Sequence, residues 1–368
     1  MSDQDSWPMY GPDPANTGSV ESAGPKRGIE ETWQFSGEEV IATSPTLKDE
    51  TVYVGEVGEF RDDQSHVYAV DATDGSEKWR YESAENGAPS LAVTDEYTIV
   101  AESRESYDND DSGCITALDR STGAIHWQFE VDDVVYAAPT VVDGTVFVGS
   151  HDNNLYAIDC ETGEETWRFR TNSDVATTPA VSQGTVFIGS GRKDGHVYAV
   201  DAETGREQWR FKTGEYDDFN SMDEGGVFNA IAVSDGVVYA GAHDERLYAL
   251  DAESGDERWN FKAEGGIDSS PALDDGTLFF STWEDNIYAV DAIDGSVRWK
   301  VDVPTSQGAR PVVADETLYI GAGILRAFDP ETGEELWNDK SFRGEARPAI
   351  VDGTMYIGSG HLTAFEDP

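Results

Sequence analysis

Short stretches in which apolar and polar residues alternate recur along the whole chain, separated by glycine-containing turns. Around Glu203-Thr-Gly205, the segment Val197-Tyr-Ala-Val-Asp201 precedes the turn and Gln208-Trp-Arg-Phe-Lys212 follows it. Such alternation over a few residues is typical of β-strands with one buried face. Gly205 can adopt a positive φ at little cost, and Asp201 can accept hydrogen bonds from turn N–H groups. The stretch therefore predicts a tight hairpin.

The stretch from Ala199 to Trp209 reads Ala-x-Asp-x-x-Thr-Gly-x-x-x-Trp, and it recurs at spacings of 38 to 50 residues, which indicates a repeat architecture. Further copies start at Ala69, Ala117, Ala157, Ala249, Ala289 and Ala327, and an eighth is split between Ala364 and Trp33. An indole is a large apolar ring with one N–H donor, and the small alanine leaves room for it. We therefore predict that the tryptophans dock neighbouring sheets together. They are Trp33, Trp79, Trp127, Trp167, Trp209, Trp259, Trp299 and Trp337.

The first half of each unit also repeats, as a strand, a turn and a second strand. One such segment begins at Pro139, and comparable ones begin at Pro45, Pro89, Pro179, Asn229, Pro271, Pro311 and Pro348. Each unit thus offers four short strands, A to D. We predict an all-β fold, an eight-bladed β-propeller of four-stranded antiparallel blades over residues 29–368. Residues 1–28 form an irregular lead-in across the ring. Trp33 lies in the D strand that closes the blade formed by residues 346–366.

These repeats resemble the tryptophan-docking motif of the pyrroloquinoline-quinone (PQQ)-like β-propeller family, in the quinoprotein alcohol dehydrogenase-like superfamily. The opening Trp7-Pro-Met-Tyr-Gly-Pro-Asp13 resembles the lead-in of these proteins. WD40 repeats fit less well, because Arg, Gln, Asn or Lys follows the tryptophan here instead of Asp. In size and layout the chain resembles the propeller scaffold lipoproteins of the bacterial outer-membrane assembly machine. That resemblance implies a non-enzymatic scaffold.

The strongly negative net charge limits the kinds of partner that we expect. The sequence has 73 acidic and 25 basic residues, for a formal charge of −48. A fold with this charge repels itself unless salt screens it, so the composition is typical of a halophilic protein. No basic stripe is available for phosphates, so we expect no nucleic-acid partner. We also expect a monomer.

The sequence contains no targeting or membrane signal that we recognise. Met1-Ser-Asp-Gln-Asp has neither a basic start nor an apolar run, and no 18-residue apolar stretch occurs. We expect a cytoplasmic protein, with an exported or cell-surface location as the alternative if a native signal has been removed. Cys114 and Cys160 are expected to be free thiols, because we place them near opposite ends of the ring wall.

The strongest candidate for small-ligand binding is a set of arginines. Arg310-Pro311 and Arg347-Pro348 occupy equivalent positions in adjacent blades, where the inner strand begins, and Arg343 lies nearby. Guanidinium groups bind carboxylates and phosphates bidentately, so this set predicts capture of a small anion in the central funnel. Charge balance against neighbouring Asp and Glu is the alternative.

The sequence contains two candidate metal sites. Asp108, Asp110 and Ser112 resemble the first half of a calcium loop, with Asp119 at the twelfth position, although a solvated acidic loop is preferred. Five histidines fall at connections between strands B and C, where they serve either as turn residues or as transition-metal ligands. They are His66, His151, His196, His243 and His361.

The sequence favours binding over catalysis. The PQQ enzymes of the family are implied to carry adjacent disulfide-bonded cysteines, calcium ligands and a catalytic Asp, and this chain has no Cys-Cys pair. We therefore expect neither PQQ nor calcium as a cofactor. The long connections 56–66, 103–113 and 212–228 all emerge on the face made by the B–C and D–A connections, where we expect a protein partner to bind. An anion sensor and a PQQ-dependent dehydrogenase are the alternatives.

Overall fold

The computed structural model describes residues 6–41, 43–58, 65–83, 87, 89–104, 111–191, 193–214, 226–229, 231–267, 269–303, 309–340, 342 and 347–368. Within these ranges the chain forms 34 β-strands, arranged as eight sheets. Each sheet contains a blade of four antiparallel strands, and two of the sheets have one additional strand, so the predicted eight-bladed propeller is confirmed. Among the same residues, no helix has the length and apolar character that a membrane span requires.

We number the strands along the chain and the blades from the first complete one. Blade 1 contains β4 (Thr46–Lys48), β5 (Thr51–Val57), β6 (His66–Asp71) and β7 (Glu77–Glu82), with β3 (Val40–Ile41) beside β5. Blade 2 contains β8 (Ser90–Val93), β9 (Tyr97–Arg104), β10 (Ser112–Asp119) and β11 (Ile125–Val131). Blade 3 contains β12 (Thr140–Val142), β13 (Thr145–Gly149), β14 (Asn154–Asp159) and β15 (Glu165–Arg170). Blade 4 contains β16 (Ala180–Ser182), β17 (Thr185–Gly189), β18 (His196–Asp201) and β19 (Glu207–Lys212).

The second half of the ring repeats this order. Blade 5 contains β20 (Ala232–Ser234), β21 (Val237–Gly241), β22 (Arg246–Asp251) and β23 (Glu257–Lys262). Blade 6 contains β24 (Ala272–Asp274), β25 (Thr277–Ser281), β26 (Asn286–Asp291) and β27 (Val297–Asp302). Blade 7 contains β28 (Val312–Ala314), β29 (Thr317–Ala322), β30 (Ile324–Phe328) and β31 (Glu335–Asp339). Blade 8 contains β32 (Ala349–Val351), β33 (Thr354–Ser359), β34 (His361–Glu366) and, from the other end of the chain, β2 (Glu30–Phe35).

Within a blade, one row of side chains runs across three strands. In blade 4 the register aligns Phe187 with Ala199 and Ala199 with Trp209. The rings of Phe187 and Trp209 approach to 5.9 Å between centroids, so the small alanine between them gives both rings room. Six other blades place a Tyr or Phe of strand B against the strand D tryptophan at similar distances. In these seven blades, this row packs the large aromatic rings of strands B and D against each other.

Between blades, each tryptophan reaches the turn that joins strands C and D of the next blade. The Trp167 indole N–H donates to the carbonyl of Ala202 at 3.1 Å, and the ring lies against Gly205, whose φ is 68°. The equivalent bond recurs around the ring with lengths of 2.8 to 3.1 Å. Trp337 differs, because blade 8 has no such turn, and its N–H donates instead to Pro25 of the lead-in.

The lead-in lines the inner edge of the ring. Inner-strand N–H groups of six blades donate to its carbonyls, and these donors are Leu47, Val93, Val181, Val233, Leu273 and Val313. One part is regular, since β1 (Ser19–Val20) pairs in parallel with β28. The inner strands have one edge facing the axis, so the lead-in satisfies polar groups that this edge exposes.

Candidate functional site

One face of the propeller carries both the B–C and the D–A connections. Within several blades a backbone hydrogen bond ties the two connections together. The N–H groups of His151, His243 and Trp283, which lead their B–C turns, donate to D–A carbonyls at 3.0 to 3.1 Å. These bonds fix the side chains that stand on the face. The long connections predicted there fall largely on residues 59–64, 105–110 and 215–225, which lie outside the described residues.

Aromatic and imidazole rings stand on this face over blades 3, 5 and 6. Tyr136 is 52% exposed and meets the His151 ring edge-on at 4.8 Å. The His243 ring lies 4.6 Å from that of Phe228 and 4.4 Å from that of Trp283. We call these five residues the aromatic face. Aromatic side chains with one exposed edge are the kind that anchor protein interfaces.

Sequence reasoning missed the aromatic face, although a signal was present. Tyr136 and Phe228 occupy the position that Ala176 holds in blade 4, four residues before the first residue of the inner strand. In blade 5 the residue equivalent to the prolines is Ile231, directly before the inner strand, so the predicted start at Asn229 was wrong. An aromatic residue at a variable position of a repeat does not serve the common fold. Comparing the repeats position by position would have identified it.

Carboxylates beneath the face hold the B–C turns to strand C. Asp194 accepts a hydrogen bond from the Tyr198 hydroxyl at 2.6 Å, and Asp244 accepts one from Tyr248. Burial raises the pKa of Asp244. Burial also opposes ionisation of Asp194, but hydrogen bonds from Tyr198 and Ser190 and the charge of His196 outweigh it and lower that pKa. Since both carboxylates are committed to the fold, they serve as supports for the turns.

The five histidines are not brought together. His66 pairs with Glu56, His196 lies 2.9 Å from Asp194, and His361 lies 3.0 Å from the Ser36 hydroxyl. These three begin strand C, whereas His151 and His243 lie in B–C turns. No group of three or more metal-ligating side chains occurs in the described part of the chain.

The calcium hypothesis loses its last ligand. Asp108 and Asp110 lie outside the described residues, while Ser112 begins β10 and Asp119 ends it. At roughly 3.3 Å per residue, Ser112 and Asp119 are about 23 Å apart. Asp119 instead accepts hydrogen bonds from Ser121 and Thr122 in its turn, so it cannot share an ion with Ser112.

The two cysteines are buried and are not disulfide-bonded, which agrees with the prediction. Burial raises the pKa of the Cys160 thiol to about 11, so this thiol stays protonated near neutral pH. A protonated thiol is a poor nucleophile.

The structure describes two of the three arginines in the predicted set. Arg310 and Arg347 both lie at the axis, each with its guanidinium carbon 5.1 Å from the centre of the Tyr10 ring. Arg347 also lies 5.9 Å from the Trp7 ring and is only 1% exposed. Arg343 falls outside the described residues. The lead-in therefore covers Arg347, while Arg310 stays partly exposed beside Tyr10.

Eight four-stranded blades around one axis, joined by tryptophans, define an eight-bladed β-propeller. A profile of the family described as outer membrane protein assembly factor BamB matches residues 26–133, 111–222 and 193–366. The chain belongs to this family of PQQ-like propellers, and the resemblance inferred from the repeats is confirmed.

Solved structures show the same architecture in proteins of different kinds. BamB from Moraxella catarrhalis is 18% identical, with a TM-score of 0.73 over 92% of this chain and 100% of that one. A europium-containing methanol dehydrogenase is 17% identical, with a TM-score of 0.77 over 96% and 89%. Quinohemoprotein alcohol dehydrogenase ADHIIG from Pseudomonas putida HK5 is 15% identical, with a TM-score of 0.78 over 99% and 80%. Such identities show the fold alone. No curated protein matches the sequence.

Proposed function

We propose that this propeller is a non-enzymatic scaffold that binds a protein partner through the aromatic face. The observation that carries the proposal is the exposure of Tyr136 beside His151, together with the tilted ring contacts that Phe228 and Trp283 make with the buried His243 on the same face. Aromatic residues supply much of the binding energy of protein interfaces because they bury large area at little entropic cost.

The surroundings of these rings favour a macromolecular partner. The B–C turns are fixed by backbone hydrogen bonds to the D–A connections, so the rings are presented on a rigid frame. A preorganised surface loses little conformational entropy on binding. The lead-in covers the inner edge of the ring, whereas Tyr136 of the aromatic face is exposed. The BamB family membership supports a protein-binding role.

The test is affinity capture from lysate of the native cells, kept in molar KCl. The wild-type protein is compared with a Tyr136→Ser, Trp283→Ser double variant. The matched control is Ile293→Ser, which removes a residue 85% exposed in a C–D turn on the opposite face. We expect the same stoichiometric partner with wild type and control, and about a thousandfold weaker binding by the double variant, since hot-spot residues contribute about 2 kcal/mol or more each.

Equal recovery with the double variant, once circular dichroism shows that it is folded, would overturn the proposal. So would recovery of nothing with folded wild type. A quinoprotein dehydrogenase would behave differently, since it would reduce an acceptor dye when PQQ, calcium and an alcohol are supplied.

A further inference from the structure

A ring of equivalent positions surrounds the axis directly before the inner strands, each followed by proline. The described members are Ser44, Ala138, Thr178, Ser270, Arg310 and Arg347. Tyr10 of the lead-in stands inside this ring. It packs on Ala138, its hydroxyl lies 3.0 Å from that of Ser270, and both guanidinium groups approach its ring. The repeat therefore places two adjacent cations among small neutral residues on the axis.

Arg347 has hydrogen-bonding capacity that the described residues do not use. One Nη1–H donates to the Tyr10 carbonyl at 3.2 Å. Nε and Nη2 are buried, and neither has a hydrogen-bond acceptor among the described residues. The Nη2 group lies against Gly18, where a Cβ atom would collide with it. Three N–H bonds of this buried guanidinium group thus have no acceptor among the described residues.

The positive charge of the pair also lacks an ion-paired carboxylate among the described residues. Within the described ranges, neither Arg310 nor Arg347 forms an ion pair with a carboxylate. Asp13 favours the charged form of Arg347, but its carboxylate already accepts hydrogen bonds from Ala15 and Thr17. Burial, and then the charge of Arg310, lower the pKa of Arg347. Guanidinium nevertheless stays protonated in proteins, so a buried guanidinium group with unused N–H donors favours a bound anion.

We propose that Arg347, with Arg310, binds a small inorganic anion, a halide or compact oxoanion, on the propeller axis beneath the lead-in. The Nε–H and Nη2–H groups of Arg347 donate to it, and Arg310 adds a second positive charge. The close approach of Gly18 and the burial of Arg347 restrict the ligand to a small ion.

The bound anion would also stabilise the lead-in. Tyr10, Gly11 and Gly18 pack against Arg347 while the same segment hydrogen-bonds to the inner strands. An ion that neutralises the arginines removes their mutual repulsion and stabilises the segment that covers Arg347. The anion therefore stabilises the closed ring from its centre, independently of the aromatic face.

The test is anomalous diffraction from crystals grown in molar KBr, with bromide as the probe. We expect a well-occupied bromide within hydrogen-bonding distance of Arg347 Nε and Nη2, and clearly lower occupancy there in Arg310→Gln. The control is Arg258→Gln, which removes an arginine paired with Asp251 at 2.8 Å on the opposite face. That variant should keep the axial bromide.

A measurement in solution accompanies the crystals. It uses Arg310→Gln, because we expect replacement of the buried Arg347 to disturb folding. The bromide dependence of the melting temperature is recorded at constant potassium concentration, with glutamate as the replacing anion. We expect half-saturation to rise about tenfold in Arg310→Gln and not in Arg258→Gln. Water at Arg347, bromide only at the surface, or equal bromide dependence in both variants would each overturn the proposal.

Discussion

Gly205 in blade 4 is restricted to glycine by its backbone conformation and by the lack of space for a Cβ atom. Its φ is 68°, and a Cβ atom would stand 2.6 Å from the indole of Trp167 in the preceding blade. Gly184 is a matched control with a φ of 75° and nothing within 4 Å. We expect Gly184→Ala to lower the free energy of unfolding by about 1 kcal/mol. Gly205→Ala should lower it by about 2–4 kcal/mol, because it also displaces a packed ring.

Urea denaturation followed by far-ultraviolet circular dichroism measures both variants. Equal losses of stability would mean that the indole does not press on the turn. In that case the tryptophan contacts would contribute through area alone.

At the residue scale, the sequence predicted correctly those features that depend only on contacts within one turn. The hairpin, the positive φ of Gly205 and the hydrogen bond from Thr204 N–H to Asp201 all follow from local turn chemistry. The partner of Trp209 within the blade, Phe187, was not predicted. Strands B and D are not adjacent, so only the register across Ala199 brings those two rings together.

At the scale of the strand-joining turn, the recurring aspartates make the fold sensitive to acid. The pKa of Asp251 is lowered to about 2, first by the hydrogen bond from Arg258 and then by the Ser254 N–H. The unfolded-state pKa is about 3.9. A depressed folded-state pKa adds stability that is present above pH 4 and lost as the pH falls towards 2. Asp71, whose pKa is also lowered to about 2, adds to the same window.

We therefore expect Asp251→Asn to unfold at lower denaturant concentration than wild type above pH 4, and the difference to narrow as the pH falls below 4. The measurement is the urea midpoint at successive pH values down to the lowest at which both proteins fold. Glu253→Gln removes an equal charge from an exposed position of the same turn and should show no such narrowing. A difference that stays constant with pH would contradict the assignment.

The lead-in shows where prediction from sequence stopped at the level of elements. Trp7 to Asp13 resembles a family segment, but its proline- and glycine-rich composition carries no periodicity. Its path is determined by inner-strand N–H donors that are scattered over six blades. The burial of Arg347 follows from that path, so the sequence placed the arginine pair near the axis without showing what covers Arg347.

At the scale of the whole molecule, the repeat determines both closure and charge. The D strand of blade 8 comes from the opposite end of the chain, so the ring closes only when both ends pair. The formal charge of −48 is carried on this closed ring, and 25 basic residues cannot offset 73 acidic ones. Mutual repulsion acts over about 10 Å at 0.1 M salt and only about 3 Å at 1 M. We expect the melting temperature to rise steeply up to about 1 M KCl and then to level off.

A variant with fewer charges separates screening from general salt effects. Glu161, Glu203, Glu253 and Glu331 occupy equivalent exposed positions in the C–D turns, so they crowd one face. Changing all four to Gln should raise the melting temperature at low salt and reduce its dependence on KCl, because fewer like charges remain to be screened. Sucrose stabilises by exclusion from the surface and does not screen charge. If sucrose matched KCl for wild type, or if the variant kept the full KCl dependence, repulsion would not be the force that salt relieves.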